Sequence, residues 1–384
     1  MSTGYIVFGK PEILEAEIAE VVDSLRKNWL GTGPKVKQFE QDFAGYKGVD
    51  VSQVAAVNSC TAALHLSLLA AGIQPGDEVI TTAMTFCATV NAIIHAGGKP
   101  VLVDVLPDTY NLDPAAIEQA ITEKTRAIVP VHYSGNPCDM SAIMAIASRH
   151  GLKVIEDCAH ALESDFQGQP LGTFGDYGCF SFYATKNMTT GEGGMVIAKS
   201  ADAINRIKTL ALHGMSTDAW ARFSDDGYKH YQVTEAGFKY NMMDLQAAIG
   251  IHQLRRIEDN WQKRRRLFDI YHDAFVDLPV QLPVADDSTG RPACHLYPIL
   301  LEESLPVSRD AFMMKAHQAG IGTGVHYLSI PTHRYYREKF GWKETDYPVA
   351  ERIGRTTVSL PFSPSLTESE IARIIACTRQ LVSW

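Results

Sequence analysis

The stretch Val54-Ala55-Ala56-Val57-Asn58-Ser59-Cys60-Thr61-Ala62-Ala63-Leu64 holds a complete architectural unit. Four apolar residues suit a strand buried on both faces, a polar turn follows, and residues 61–71 then read as a helix. The unit repeats downstream. Residues 78–81, 100–105, 127–132 and 153–158 are further compact apolar runs, with helical stretches between them at 88–96, 114–121 and 140–150. Alternation of this kind predicts a parallel or mixed sheet with helices on both faces.

Outside this block the pattern changes. Leu14, Ile18, Val21 and Leu25 mark one face of an amphipathic helix ending at Trp29-Leu30-Gly31-Thr32-Gly33-Pro34. Residues 177–183 and 195–198 read as strands flanking Gly191-Glu192-Gly193-Gly194. Residues 243–271 read as one long helix carrying Leu245, Ile249, Ile257, Trp261 and Phe268. After it, 295–301, 309–319, 357–361 and 368–381 read strand, helix, strand, helix. The expected division is a large α/β domain over 1–250 and a smaller C-terminal α/β domain over 251–384, bridged by the long helix.

Composition narrows the function. The chain has 384 residues, 46% hydrophobic and 21% charged, with a mean hydropathy of −0.08, as in a globular protein without long disorder. A net charge of −9 gives no positive field to gather nucleic acid or an anionic membrane. Any anionic ligand must therefore meet local donors. No apolar run approaches the roughly 18 residues of a membrane span. The first ten residues show no basic segment leading into an apolar one, so a cytoplasmic location is expected. Seven cysteines, an odd number with no C-x-x-C pair, read as free thiols in a reducing compartment. The thirteen histidines show no ligand spacing, so no metal is expected.

Chemistry concentrates at a few positions. Lys186 closes Cys179-Phe180-Ser181-Phe182-Tyr183-Ala184-Thr185-Lys186, just past an apolar strand. A desolvated lysine amine is a nucleophile suited to a Schiff base with an aldehyde. Asp157 ends the run Val154-Ile155-Glu156-Asp157 at the carboxyl end of a strand, where open α/β sheets place ligands. A carboxylate buried there needs a cationic or hydrogen-bonding partner, and a protonated pyridine would supply one. Glu156 reads as a capping or surface acid. Asn58-Ser59-Cys60-Thr61 can offer N–H groups and hydroxyls at a helix start, an arrangement suited to a phosphate or to simple capping. Ser181 adds a hydroxyl. Gly320-Ile321-Gly322-Thr323-Gly324 reads as a turn, and Lys263-Arg264-Arg265-Arg266 as a solvated helical face.

Taken in order, four blocks resemble those of the DegT-type sugar aminotransferases. They are Asn58-Ser59-Cys60-Thr61-Ala62-Ala63-Leu64, Glu156-Asp157-Cys158-Ala159-His160-Ala161, Ser181-Phe182-Tyr183-Ala184-Thr185-Lys186-Asn187 with Gly191-Glu192-Gly193-Gly194, and Gly237-Phe238-Lys239-Tyr240-Asn241-Met242. The resemblance spans essentially the whole chain. It implies a pyridoxal 5'-phosphate (PLP) enzyme of the aspartate aminotransferase fold, fold type I, with a large mixed-sheet α/β/α domain and a smaller C-terminal one. Lys186 would be the Schiff-base lysine and Asp157 the partner of the pyridine nitrogen. Ser181, Cys60 and Thr61 would bind the phosphate, Phe86 would stack on the ring, and His160 would lie beside the ring hydroxyl. Asn241 would reach the phosphate of a neighbouring subunit, which implies a homodimer with shared sites. Cys60 stands where a small Gly, Ser or Ala is common, so only its backbone contact carries over.

The opening Thr32 block and Val325-His326-Tyr327 fit as well, and Thr32, His326 and Tyr327 are candidates for binding substrate. With Tyr335-Tyr336-Arg337-Glu338-Lys339-Phe340, the late blocks look most like enzymes making UDP-4-amino-4-deoxy-L-arabinose from the UDP-4-keto-pentose, a step in cell-envelope sugar biosynthesis. The resemblance thus implies amino transfer from L-glutamate to a nucleotide keto-sugar, with ping-pong kinetics. A hexose substrate and a non-catalytic nucleotide-sugar-binding protein are the alternatives. Related PLP-dependent sugar dehydratases carry histidine where this chain has Lys186, and a nucleic-acid-binding regulator fails on charge.

Overall fold

The computed structural model describes residues 4–215, 232–284, 288–302 and 304–382. The N-terminal part runs α1 (Glu15–Arg26), α2 (Pro34–Lys47), β1 (Val54–Val57), α3 (Cys60–Ala70), β2 (Glu78–Thr82), α4 (Cys87–His95), β3 (Lys99–Val103), α5 (Pro114–Ala120), β4 (Thr125–Val129), α6 (Met140–His150) and β5 (Lys153–Asp157). A short ribbon of β6 (Asp165–Phe166) and β7 (Gln169–Pro170) precedes β8 (Tyr177–Ser181), β9 (Gly194–Ala198) and α7 (Ala201–Ala211). Side-chain caps start several of these helices: Ser59, Asp113, Asp139 and Ser200 each accept a backbone N–H from the first turn, worth about 1 kcal/mol apiece.

Seven strands form one sheet in the order β1-β9-β8-β5-β4-β2-β3. Strand β9 runs antiparallel to both its neighbours, and the other pairings are parallel. Successive side chains of a strand point to opposite faces, and β5 shows the consequence. Val154 joins the core under α2 and α6, with Phe39, Phe43, Phe180 and Phe182. Ile155 joins the core under α3 and α7, with Leu64, Leu66, Ile204 and Ile207. Glu156 and Asp157 then diverge in the same way.

The chain continues through α8 (Asp244–Arg255), α9 (Ile257–Phe275), β10 (Val280–Gln281), β11 (Tyr297–Leu301), α10 (Arg309–Gln318), α11 (Arg334–Phe340), α12 (Pro348–Thr356), β12 (Thr357–Leu360) and α13 (Glu368–Val382). Strands β10, β11 and β12 make an antiparallel sheet. Its core gathers Leu267, Phe268, Tyr271, Phe275, Tyr297, Phe312 and Ile374, together with Ile6 from the N-terminal segment. Helix α8 instead packs Ile251 and Leu254 into the large-sheet core.

Four expectations change. The helix expected over 243–271 is two helices, α8 and α9, joined at Arg256, whose guanidinium reaches back to Glu12 and Glu17. Helix α1 is inverted: Leu14, Ile18 and Leu25 are about half exposed, while Glu17 and Ser24 are buried. Glu17 turns inward because Gln253 and Arg256 donate to its carboxylate. Arg264, expected on a solvated face, is buried and donates to the Asn187 carbonyl. Glu156 is fully buried rather than capping or exposed, and accepts from the N–H groups of Gly172, Phe174 and Gly175.

Phe43 anchors the larger core, with ring centroids 5.1 Å from Phe180 and 5.9 Å from Phe182. Phe43→Ala should cost about 3–5 kcal/mol, seen as a lowered transition temperature in calorimetry. A melt unchanged from the wild type would refute this packing.

Candidate active site

Asp157 ends β5 with its side chain on the α3 and α4 side of the sheet. Its Oδ2 accepts from the Thr89 hydroxyl at 2.8 Å, and Thr85 lies 2.8 Å behind Thr89 in a short hydroxyl relay. Its Oδ1 accepts from the Ala159 N–H at 3.1 Å. Among the described residues no cation is hydrogen-bonded to it, and burial raises its pKa. A buried carboxylate with acceptor capacity left and no bonded cation is shaped for an incoming cationic N–H.

Lys186 follows β8, its backbone N–H bonded to the Tyr183 carbonyl at 2.9 Å. Burial pushes its amine down to about 8, opposed by the negative charge of Asp157. A tenth of such amines are neutral at pH 7, against fewer than one in a thousand for a free lysine.

One wall is aromatic. Phe86, the residue before α4, is 57% exposed, and its ring centroid lies 5.8 Å from that of Tyr327. His160 Nδ1 accepts from the Ser134 N–H at 3.2 Å, so the neutral ring carries its proton on Nε2. That Nε2–H donates to the Tyr327 oxygen at 2.9 Å, leaving the phenolic hydrogen free to point elsewhere. Burial, then Lys186 and His295, holds His160 well below the usual imidazole range. Gly135 makes the Ser134 contact possible: at φ +88°, a Cβ there would meet Ala293 and the His160 carbonyl within 2.8 Å. His326 bonds through Nδ1 to Ser359 at 2.9 Å and stacks on Phe8. Burial and the Lys186 charge lower its pKa to about 4.

Opposite lies the start of α3. The N–H of Ala62 is taken by the Ser59 cap and that of Ala63 by the Ser59 carbonyl. The N–H groups of Cys60 and Thr61 have no acceptor among the described residues, so they form the open end of a helix dipole. Burial keeps the Cys60 thiol protonated, which leaves its backbone as the useful group. Ser181 stands beside this start, since it pairs in register with Gly194. A Cβ on Gly194 would lie 2.6–2.8 Å from Ser59 and Cys60 backbone atoms, so only glycine lets β9 approach the helix so closely.

Lys186 thus neighbours Asp157, Cys60, His160 and His326, Tyr327 touches both His160 and Phe86, and Thr61 and Ser181 adjoin Cys60 through the α3 start and Gly194. Thr32 and Asn241 form a separate pair. Asn241 Nδ2 donates to Thr32 Oγ1 at 2.6 Å, Thr32 donates to the Met242 carbonyl at 2.5 Å, and Lys239 bonds Asn241 Oδ1. Both line a cleft of about 920 Å³ with Trp29 and Leu30. The Asn241 backbone bridges to Val57 and so stays next to the α3 start.

Sequence reasoning missed Thr89, Ser134, Glu163 and His295. Thr85 and Thr89, spaced i and i+4 at a helix start, offered a faint signal for the first. The others act through folds of the chain that no local pattern encodes.

The sequence pattern of the DegT/DnrJ/EryC1/StrS aminotransferase family matches residues 11–379. The chain is 43% identical over 380 residues to the spore coat polysaccharide biosynthesis protein SpsC of Bacillus subtilis, covering 98% of this chain and 97% of that protein. Among solved structures it is similar to the PLP form of Spr1654 from Streptococcus pneumoniae, at a TM-score of 0.91 and 33% identity over 99% of this chain and 100% of that one. It is also similar to Helicobacter pylori PseC, an aminotransferase involved in the biosynthesis of pseudoaminic acid, at a TM-score of 0.90 and 27% identity over 98% and 99%.

An amine held near pH 8 carries a pH signature. In the cofactor-free protein the rate of covalent attachment of PLP should rise with pH through about 8, followed by absorbance. A midpoint near lysine's ordinary 10.5 would show a solvated amine. Stability follows the same proton. Folded Lys186 binds fewer protons than the unfolded residue between pH 8 and 10.5, so its burial penalty is complete below 8 and disappears as pH rises through that window. Lys186→Met should therefore stabilise the cofactor-free protein by about 2–3 kcal/mol at pH 7 and by progressively less towards pH 10.

Proposed function

Since the chain belongs to the DegT/DnrJ/EryC1/StrS aminotransferase family, and is a PLP-dependent sugar aminotransferase of fold type I, we propose that it moves the amino group of L-glutamate to a nucleotide-linked 4-keto-sugar, with Lys186 as its Schiff-base lysine. The observation that carries the site assignment is the pairing of a desolvated Lys186 amine with a buried Asp157 carboxylate that lacks a bonded cation.

The residues present fit the cofactor. Bound PLP supplies an electron-accepting ring that lowers the barrier to removing a proton from carbon. Asp157 holds the pyridine N–H and keeps that nitrogen protonated, with Thr89 and Ala159 fixing the carboxylate's direction. Phe86 covers one ring face. The Cys60 and Thr61 N–H groups and the Ser181 hydroxyl take the phosphate. His160 orients the Tyr327 hydroxyl towards the ring edge and substrate. With PLP bound, the free Lys186 Nζ would serve as the general base and acid that moves a proton at the donor's α-carbon and at the keto carbon of the sugar.

The proposed working unit is a two-fold dimer in which Asn241 of each subunit serves the other's phosphate. Supporting it are exposed apolar side chains: Trp29 and Leu30 line the cleft with Thr32 and Asn241, and Ile13, Leu14, Ile18, Leu25 and Met243 are likewise at least 41% exposed. Such a patch on one chain is the mark of a covered surface.

For the acceptor sugar, the late blocks containing His326-Tyr327 and α11 support the UDP-4-keto-pentose. Two experiments test these readings. Lys186→Ala should abolish the visible absorption of the lysine-bound cofactor, and a wild-type protein that fails to bind saturating PLP would sink the site assignment. Incubation with glutamate and a panel of nucleotide 4-keto-sugars should release 2-oxoglutarate with the pentose. Turnover with hexoses alone would overturn the pentose assignment and leave aminotransfer standing.

A further inference from the structure

We propose that Asn187 is a positioning residue for Lys186: a buried cluster of Glu163, Arg264 and His295 grips it and so fixes the point from which the lysine enters the site. The inference rests on Lys186 being the Schiff-base lysine.

Asn187 is buried, and every polar group of its side chain is engaged. Its Nδ2 donates to both Glu163 oxygens at 2.9 Å and to the Ala293 carbonyl at 3.0 Å. With the amide nitrogen facing three acceptors, the remaining oxygen must be Oδ1, and it accepts from His295 Nδ1 at 2.8 Å. Its backbone carbonyl accepts from Arg264 Nη2 at 3.1 Å. The partners come from three separated segments: the loop after β5, the approach to β11, and α9. An asparagine held from three directions cannot rotate or shift without leaving several buried hydrogen bonds unmet at once.

Being next in the chain, Lys186 inherits this rigidity at its Cα. The bond to Asn187 Oδ1 fixes His295 as the Nδ1–H tautomer, and burial, then the Lys186 and Arg264 charges, keeps the ring neutral. The His295 ring packs 4.3 Å from that of His160. The same grip therefore supports the ring that orients Tyr327. Glu163 also faces Arg291, Lys47, Tyr46 and Cys294, Arg264 faces Glu12 and Cys294, and His295 faces His326.

The test uses the full chain with and without PLP. Asn187→Ala should let the lysine loop relax and hydrate. The midpoint of PLP attachment to the cofactor-free protein should then move up by about one pH unit or more, and kcat should fall about 10- to 100-fold with KM for glutamate within about twofold. A loss of fold quality alone would lower the active fraction without moving that midpoint. His295→Gln keeps an N–H for Asn187 Oδ1 and should retain the wild-type midpoint, whereas His295→Leu should shift it upward. A folded Asn187→Ala with the wild-type midpoint and kcat overturns the proposal. If that variant does not fold, equal midpoints in His295→Gln and His295→Leu overturn it. Covalent attachment surviving in Lys186→Ala would instead overturn the assignment of the lysine, with the Asn187 result read separately.

Discussion

A carboxylate taken out of water and left without a bonded cation is costly, and the arrangement around Asp157 accounts for much of the molecule's layout. β5 must end in the middle of the sheet for its last side chain to be dry. The turn into α4 must supply Thr85, and the helix must carry Thr89 on its inner face, for the carboxylate to be aimed. The neighbouring strand β8 must then stop at Ser181 and turn, so that Lys186 arrives within the field of the same charge. The large sheet thus holds an acid and an amine in a dry space where neither keeps its solution behaviour.

In the proposed site, phosphate recognition is a separate and local matter. A chain of net charge −9 attracts no anions at long range, yet its cofactor and proposed substrate are phosphorylated. The open N–H groups at the start of α3 supply a partial positive charge that needs no lysine. Gly194 brings β9 against that helix start and so ties the anion site to the sheet. Attraction of this kind works only at contact distance, which favours selectivity over capture rate.

Much of this was legible in the sequence. β1 falls at Val54–Val57 and α6 at Met140–His150, where apolar runs and an Asp cap define them. Lys186, Asp157 and the α3 start stood out because their chemistry sits at strand ends. What stayed hidden depends on contacts distant in sequence. Arg264 reads as one of four basic residues on a helix, and nothing local says that Asn187 and Glu163 wait on the inner side. Glu156 looks like its neighbour Asp157, yet the pleat sends it to the other face, where three N–H groups of a later turn receive it. Helix α1 misled for a related reason: amphipathic periodicity identifies a buried side without saying what buries it.

That last point bears on how the protein can be engineered. The usual recipe for solubility replaces exposed leucines and isoleucines with charges and leaves inward residues alone. On α1 the recipe would remove Leu14, Ile18 and Leu25 from the surface of the proposed subunit contact, while the polar Glu17, apparently the safest residue to change, is the one wired to Gln253 and Arg256 in the interior. Variant libraries built from hydropathy alone would invert the tolerance map of this segment. Its acidic residue belongs with the core and its aliphatic ones with whatever the chain docks against.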